Sequence, residues 1–318
     1  MFMKNKSLLI CLTPLQMLIA SKIIDENPAI YDVLCLSYND NEKYNYYYSK
    51  ISAKCDISYR YMVKSQEKFG RIFEFIKYRI FLKKILKTNY DKVFLASVDN
   101  PFFHLLLSLL RKTEIQTFDD GTANIYKKSV YYVFPKKNAL QQALLRILGN
   151  NYHTQQVIDE SKLHHTIYEG FQNITKPLNI IKLIDLNVKN NPNKTIKIYL
   201  GQPLEDLNLK NESEIFNLLK KNTVNYYFPH PRESKKYKGF NYINSPLIFE
   251  DYIIDLLEKN YSVELFTILS SAAINVSVLN NVVVKVIRNK ILYENYSSLY
   301  EVFEEMDFNF IDVDGILL

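Results

Sequence analysis

Along the first third of the chain, short apolar runs alternate with longer segments of helical periodicity. Residues 8–12, 33–37, 92–96 and 114–118 are strand-like, and the second and third of these each follow a helix candidate. Alternation of strand and helix predicts a parallel sheet covered by helices on both faces. The same rhythm resumes at residues 196–200, 225–228, 263–266 and 282–287. Between the two series, residues 126–170 are mixed and hold His153, His164 and His165, and the polar, proline-containing stretch 187–194 (NVKNNPNK) reads as an interdomain linker. Phe249, Tyr252, Ile253, Leu256 and Leu257 recur at i, i+3, i+4, i+7 and i+8, so Ser245-Pro246 is predicted to open a helix with a buried apolar stripe.

Two parallel-sheet domains facing each other across a cleft would bind ligands at the carboxyl ends of their strands. Four polar clusters stand there: Thr13 to Gln16, Asp119-Asp120-Gly121-Thr122, His230-Pro231-Arg232, and Ser270-Ser271. Gly121 can supply a left-handed turn at no steric cost. The side chains of Asp119 and Asp120 should point in opposite directions, one into the cleft and one into a cap or turn, so they are not read as a coupled dyad. His230 lies between Pro229 and Pro231, which restrict the backbone on both sides and suit the imidazole to proton transfer or charge stabilisation. Arg232 is placed to accompany an anionic ligand. Ser270-Ser271-Ala272-Ala273 stands where a helix begins, and its hydroxyls and N–H groups suit either a phosphate or a plain N-cap. Glu250, near a helix start, suits either a base-binding acceptor or a favourable charge at the helix dipole. His104, His153, His164 and His165 have no comparable framing and read as structural or surface residues.

The length of 318 residues and the 47% hydrophobic content point to about two domains with sizeable cores. The net charge of +6 is too mild an excess to indicate a nucleic-acid partner. No two of the seven glycines are closer than 21 residues, which excludes Walker A, GxGxxG and kinase-type phosphate loops. Cys11, Cys35 and Cys55 are odd in number and lack CxxC spacing, so they read as reduced thiols of a cytoplasmic protein with neither a disulfide framework nor a zinc site. No His, Asp, Glu or Cys cluster has metal-ligand spacing, so neither a metal nor another cofactor is expected. Thr13, Pro14 and Gln16 cut the apolar start of the chain well short of the about 20 residues that span a bilayer, and no cleavage pattern follows. Arg79, Lys83, Lys84 and Lys87 read first as a solvated helix face, with peripheral association at the inner membrane as the second reading.

Six segments together resemble a known family: LLICLTPLQMLIASKII at residues 8–24, FDDGTANI at 118–125, YLGQP at 199–203, FPHPRE at 228–233, NSPLIFEDYI at 244–253 and SSAA at 270–273. In this order, over nearly the whole chain, they resemble glycosyltransferase family 52, bacterial sialyltransferases that cap lipooligosaccharide or capsule glycans. The resemblance implies an α/β, GT-B architecture of two Rossmann-like domains facing a central cleft. Residues 1–150 would be the acceptor-side domain, 151–195 a linker or exchange region, and 196–318 the CMP-donor domain. It further implies inverting, metal-free transfer of sialic acid from CMP-sialic acid to a terminal galactose, typically at the 3-hydroxyl, by a homodimer. His230 would act on the leaving phosphate as general acid or charge stabiliser, Glu250 would bind cytosine, and Ser270 and Ser271 would hold the phosphate. Gly201, Gln202, Pro231 and Arg232 would complete the donor site, and Thr13, Gln16, Asp119 and Gly121 would stand on the acceptor side. The family's proposed base is an aspartate soon after a Gly-x-Pro element. Here Leu204 follows Pro203, and the base is expected among Asp206, Asp120 and Glu205, in that order, Asp120 because a related family uses the aspartate of its DDG element. A GT-B transferase with another nucleotide-sugar donor, and a non-catalytic glycan-binding protein of a surface-polysaccharide pathway, are the alternatives.

Overall fold

In the computed structural model, which describes residues 6–65, 67–86, 89–135, 139–183, 192–207, 212–233 and 235–313, the first apolar run forms β1 (Lys6–Cys11), buried at every residue after Lys6. There follow α1 (Pro14–Glu26), β2 (Ile30–Ser37), α2 (Glu42–Ser52), β3 (Ile57–Met62), α3 (Lys68–Ile85), β4 (Tyr90–Leu95), α4 (Pro101–Leu109), β5 (Lys112–Phe118), α5 (Ala139–Ile147), α6 (Thr154–Glu160), β6 (Ser161–Thr166) and β7 (Leu178–Ile180). All pair in parallel, in the order β3-β2-β1-β4-β5-β6-β7. The central strands are buried on both faces, as a sheet covered by helices requires: Leu9, Ile10, Val33, Leu34, Val93 and Leu95 are all fully buried. Truncating Leu9, Ile10, Leu34 or Leu95 to alanine should cost about 2–5 kcal/mol.

The second unit repeats the plan. β8 (Lys194–Leu200) leads through a 3₁₀ turn (Leu204–Leu207) to α7 (Glu212–Lys221), β9 (Tyr226–Phe228), β10 (Asn241–Tyr242), α8 (Phe249–Glu258), β11 (Tyr261–Thr267), α9 (Ser271–Ser277), β12 (Val282–Arg288), α10 (Lys290–Glu305) and β13 (Asn309–Asp312). Its six parallel strands run β10-β9-β8-β11-β12-β13. Counted from its own first strand, each unit carries the Rossmann order 3-2-1-4-5-6, and the GT-B expectation of two Rossmann-like domains is met. The order reverses beside β1 and β4 in the first unit and beside β8 and β11 in the second. Those two switch points are where a sheet of this kind opens a crevice for ligand.

Several elements differ from the sequence reading. The chain divides at Leu183 and Ile184, and residues 151–183, expected as a linker or exchange region, supply α6, β6 and β7 to the first unit. β6 is SKLHHT, so its polar lettering hides a strand whose two histidines are buried against polar partners. Of the expected linker 187–194, residues 187–191 lie outside the described residues. β3, β7, β10 and β13 are edge or near-edge strands without an unbroken apolar run. α8 starts at Phe249 rather than Ser245, because the Ser245 hydroxyl accepts the N–H of Leu247 in a separate turn. Arg79 is not on the solvated face of α3: its guanidinium lies against Gly149, 3.2 Å from where a Cβ would stand. Lys83 and Lys84 are exposed, and Lys87 lies outside the described residues. Among the described residues no helix is long and apolar enough to cross a membrane.

Candidate active site

At the switch point of the first unit, Thr13 caps α1 by accepting the N–H of Gln16 at 3.3 Å, and Pro14 occupies the first helical position, where its missing N–H costs nothing. That cap turns the Gln16 side chain back under the strand ends. Its carbonyl accepts the N–H of Leu12 at 2.6 Å, and its amide donates to Ser97 Oγ at 2.9 Å and to Asp120. Ser97 Oγ donates to Asp120 at 2.9 Å, and the Tyr131 hydroxyl donates to the same carboxylate at 2.5 Å. Burial, followed by the charge of Asp120, drives the Tyr131 phenol well above its ordinary pKa, so it remains a donor. Asp120 is therefore a half-buried carboxylate held by three side chains from three segments. Tyr131 escaped the sequence reading, because nothing in its neighbourhood marks one tyrosine among the 25 of the chain.

The two aspartates point apart, as adjacent extended residues do, but neither caps a helix. Asp119 is fully buried. It accepts from Thr166 Oγ1 and the Ile167 N–H, each at 2.7 Å, from His164 Nε2 at 2.9 Å and from Asn173 at 3.2 Å. Asp119, grouped on sequence with the acceptor side, is instead an internal tie between the ends of β5 and β6. Gln16 is likewise buried, and it positions Asp120 instead of presenting itself to a ligand. Gly121 adopts φ +66, the left-handed turn foreseen for it. His164 and His165 are structural: burial first, then His164 and Lys92, hold the His165 imidazole neutral with a pKa down at about 4. His104 bonds to the Val98 carbonyl at 2.7 Å, and His153 caps α6.

At the switch point of the second unit, Gln202 does what Gln16 does in the first: its carbonyl accepts the N–H of Leu269 at 2.9 Å, tying the end of β8 to the segment after β11. Gly201 is required by close approach, since a Cβ there would stand 2.5 Å from Glu233 Oε2 and 2.5 Å from the Tyr227 ring. His230 opens a tight turn closed by the Glu233 N–H on its carbonyl at 3.0 Å, with Pro231 next in line and Arg232 exposed. The Arg232 N–H donates to His230 Nδ1 at 3.1 Å. Glu250, in the first turn of α8, is buried and accepts from Asn275 of α9 at 2.7 Å. Asn275 is the second residue missed on sequence. Ser270 sits at the N-cap of α9 yet makes no side-chain cap bond, and Ser271 is exposed. Glu205 is exposed on the 3₁₀ turn; the backbone of Asp206 shares that turn, and its side chain lies outside what the structure describes. Among the described residues no three His, Cys, Asp or Glu side chains converge to hold a metal ion.

A CMP-N-acetylneuraminate:beta-galactoside alpha-2,3-sialyltransferase of Pasteurella multocida (strain Pm70) is 34% identical to this chain over 314 residues, covering 96% of this chain and 99% of that protein. An N-acetyllactosaminide alpha-2,3-sialyltransferase of Haemophilus influenzae (strain ATCC 51907 / DSM 11121 / KW20 / Rd) is 33% identical over 295 residues, covering 90% of this chain and 93% of that protein. Among solved structures, the glycosyltransferase SnogD from Streptomyces nogalater superposes with a TM-score of 0.53 at 10% identity, over 98% of this chain and 87% of that one, a likeness of fold alone. The model of glycosyltransferase family 52 matches residues 31–291, and the chain belongs to that family.

Proposed function

We propose that the protein is an inverting, metal-independent sialyltransferase that moves sialic acid from CMP-sialic acid to the 3-hydroxyl of a terminal galactose on a bacterial surface glycan such as lipooligosaccharide. The observation that carries this reading is the His230 turn beside the Gly201-Gln202 corner, in a chain similar over nearly its full length to CMP-N-acetylneuraminate-dependent enzymes. In the reaction, the bond from the anomeric carbon to the CMP phosphate oxygen breaks with its electron pair moving to the phosphate. The galactose oxygen bonds to the opposite face of that carbon and gives its proton to a carboxylate. His230 and the hydroxyls of Ser270 and Ser271 stabilise the charge that grows on the departing phosphate. Arg232 adds a cation, and Glu250, held by Asn275, takes the cytosine amino group. Asp206 is the first choice for the base, Asp120 the second and Glu205 the third. One carboxylate on the acceptor side and one donor on the phosphate side suffice for inversion through an oxocarbenium-like state.

Incubation with CMP-sialic acid and lactose, followed by linkage analysis, should yield 3-linked sialyl-lactose at the same rate with and without EDTA. Loss of turnover in EDTA, restored by Mg or Mn ions, would sink the metal-independent mechanism. Absence of product with every galactoside would favour another nucleotide-sugar donor.

The reading extends to peripheral membrane attachment. On α3, Phe73, Ile76 and Ile80 are exposed on one face together with Lys77, Lys83 and Lys84, while Phe75, Tyr78 and Leu82 face the core. An apolar stripe with lysines alongside suits an anionic bilayer surface. The protein should sediment with vesicles containing anionic phospholipid, and Lys83→Glu with Lys84→Glu should abolish that; equal sedimentation of the double variant removes α3 from the interface.

A further inference from the structure

Glu233 ends the FPHPRE segment and takes no direct part in the transfer of sialic acid. Both oxygens of its carboxylate are nonetheless engaged. Oε2 accepts the backbone N–H of His230 at 2.9 Å, and Oε1 accepts the hydroxyl of Tyr227 from β9. Its own N–H returns to the carbonyl of His230 at 3.0 Å, so residues 230 and 233 are joined twice, once through the backbone and once through the side chain. The space that the carboxylate occupies exists because position 201 has no Cβ. Three segments, the end of β8, strand β9 and the turn itself, thus converge on one side chain. Burial raises the Glu233 carboxyl above its ordinary pKa; the bonds from Tyr227 and the His230 N–H oppose that rise, and the charge of Glu205 adds to it.

The consequence lies in the imidazole. The Arg232 N–H points at His230 Nδ1 at 3.1 Å, and a backbone N–H is always a donor, so Nδ1 must be the acceptor. A neutral histidine with an acceptor at Nδ1 carries its proton on Nε2, since the hydrogen bond at one ring nitrogen sets the state of the other. The contact exists only while the 230–233 turn keeps the Arg232 N–H beneath the ring, and Glu233 holds that turn at its first residue.

We propose that Glu233 is a positioning residue that locks the His230 turn so that the imidazole is held as the neutral tautomer bearing its proton on Nε2. This rests on the assignment of His230 to the donor phosphate, and it narrows that assignment. His230 meets the phosphate as a neutral N–H donor, and an imidazolium at that site would first have to break the contact with Arg232.

The test uses the full chain labelled with 15N-histidine, with the His230 signals assigned from their absence in His230→Ala. In the wild type at neutral pH, His230 should show protonated Nε2 and unprotonated Nδ1. In Glu233→Ala the signals should move to the average of two exchanging tautomers, and kcat should fall about 10- to 100-fold, the range for a displaced catalytic group, with KM for CMP-sialic acid unchanged. Glu233→Gln keeps an acceptor for the His230 N–H and should restore both the tautomer and most of kcat. A wild-type spectrum with the proton on Nδ1, or on both nitrogens, overturns the proposal even if Glu233→Ala does not fold. So does a Glu233→Ala spectrum and kcat identical to wild type. Failure of the underlying functional reading has a different signature: His230→Ala would then transfer sialic acid normally, whatever the spectra show.

Discussion

Replacing His230 with alanine should lower the rate of sialic acid transfer by about 10² to 10⁴ while leaving CMP affinity nearly unchanged, as expected for a group that stabilises charge developing on the leaving phosphate. That loss corresponds to about 2.7–5.5 kcal/mol of transition-state stabilisation. The leaving phosphate gains charge as the glycosidic bond stretches, so a donor aimed at it contributes more in the transition state than in the bound donor. kcat should therefore carry the effect and KM should not. Steady-state rates at saturating CMP-sialic acid, with calorimetric titration of CMP, read the two separately. The other histidines provide the contrast. His164 and His165 are buried and engaged with Asp119 and Gln116, so substituting them should lower the melting temperature and leave the catalytic rate of the folded fraction intact. A His230→Ala enzyme with an unchanged rate would make His230 another residue of that structural kind.

The second large effect should appear among three carboxylates. In Asp206→Asn, Asp120→Asn and Glu205→Gln, the variant that removes the base should lose transfer to galactose by about 10² to 10⁴ while still binding CMP, because the donor groups are untouched. Asp206 is ranked first by its place after the Gly201-Gln202-Pro203 corner. Asp120 has a different strength: Gln16, Ser97 and Tyr131 hold its carboxylate at a switch point, the kind of support a catalytic carboxylate needs. Comparing galactoside transfer with hydrolysis of the donor separates the roles. Loss of the base stops transfer and spares hydrolysis, whereas damage to the donor site lowers both. Near wild-type transfer in all three variants would exclude a carboxylate base here.

Much of the architecture was legible in the order of residues. The strands β1, β2 and β4 announce themselves by nearly unbroken apolar stretches, as strands covered on both faces do, while β5, β8, β11 and β12 carry shorter apolar stretches broken by Gln116, Lys197, Glu264 and Lys285. The helix starts at Thr13-Pro14 and Asn100-Pro101 are local too, since cap and proline act within one turn, although neither was singled out as a helix start from the order of residues. Edge strands such as β3 and β10 have no such signature, because the neighbour on one side is missing and one face is left partly wet. β6 was hidden for another reason: His164 and His165 read as surface letters, and only partners 45 and 49 residues away make them core.

By itself the sequence determined the two parallel α/β domains, the absence of a glycine-rich phosphate loop, and the positions of the polar corners after each strand, because strand burial, turn chemistry and capping are short-range properties. The tertiary structure alone decided which member of each corner does what. Asp119 and Asp120 are neighbours of the same type, yet one is tied by four hydrogen bonds to β6 and the segment that follows it, and the other is held at a switch point by Gln16, Ser97 and Tyr131. Glu233 had no role readable from FPHPRE and Asn275 drew no attention as a letter, and they matter because Gly201 leaves room for the one and Glu250 is brought to the other from elsewhere in the chain. A side chain's role is set by the partners that desolvate it and bond to it, and those partners lie far off in sequence.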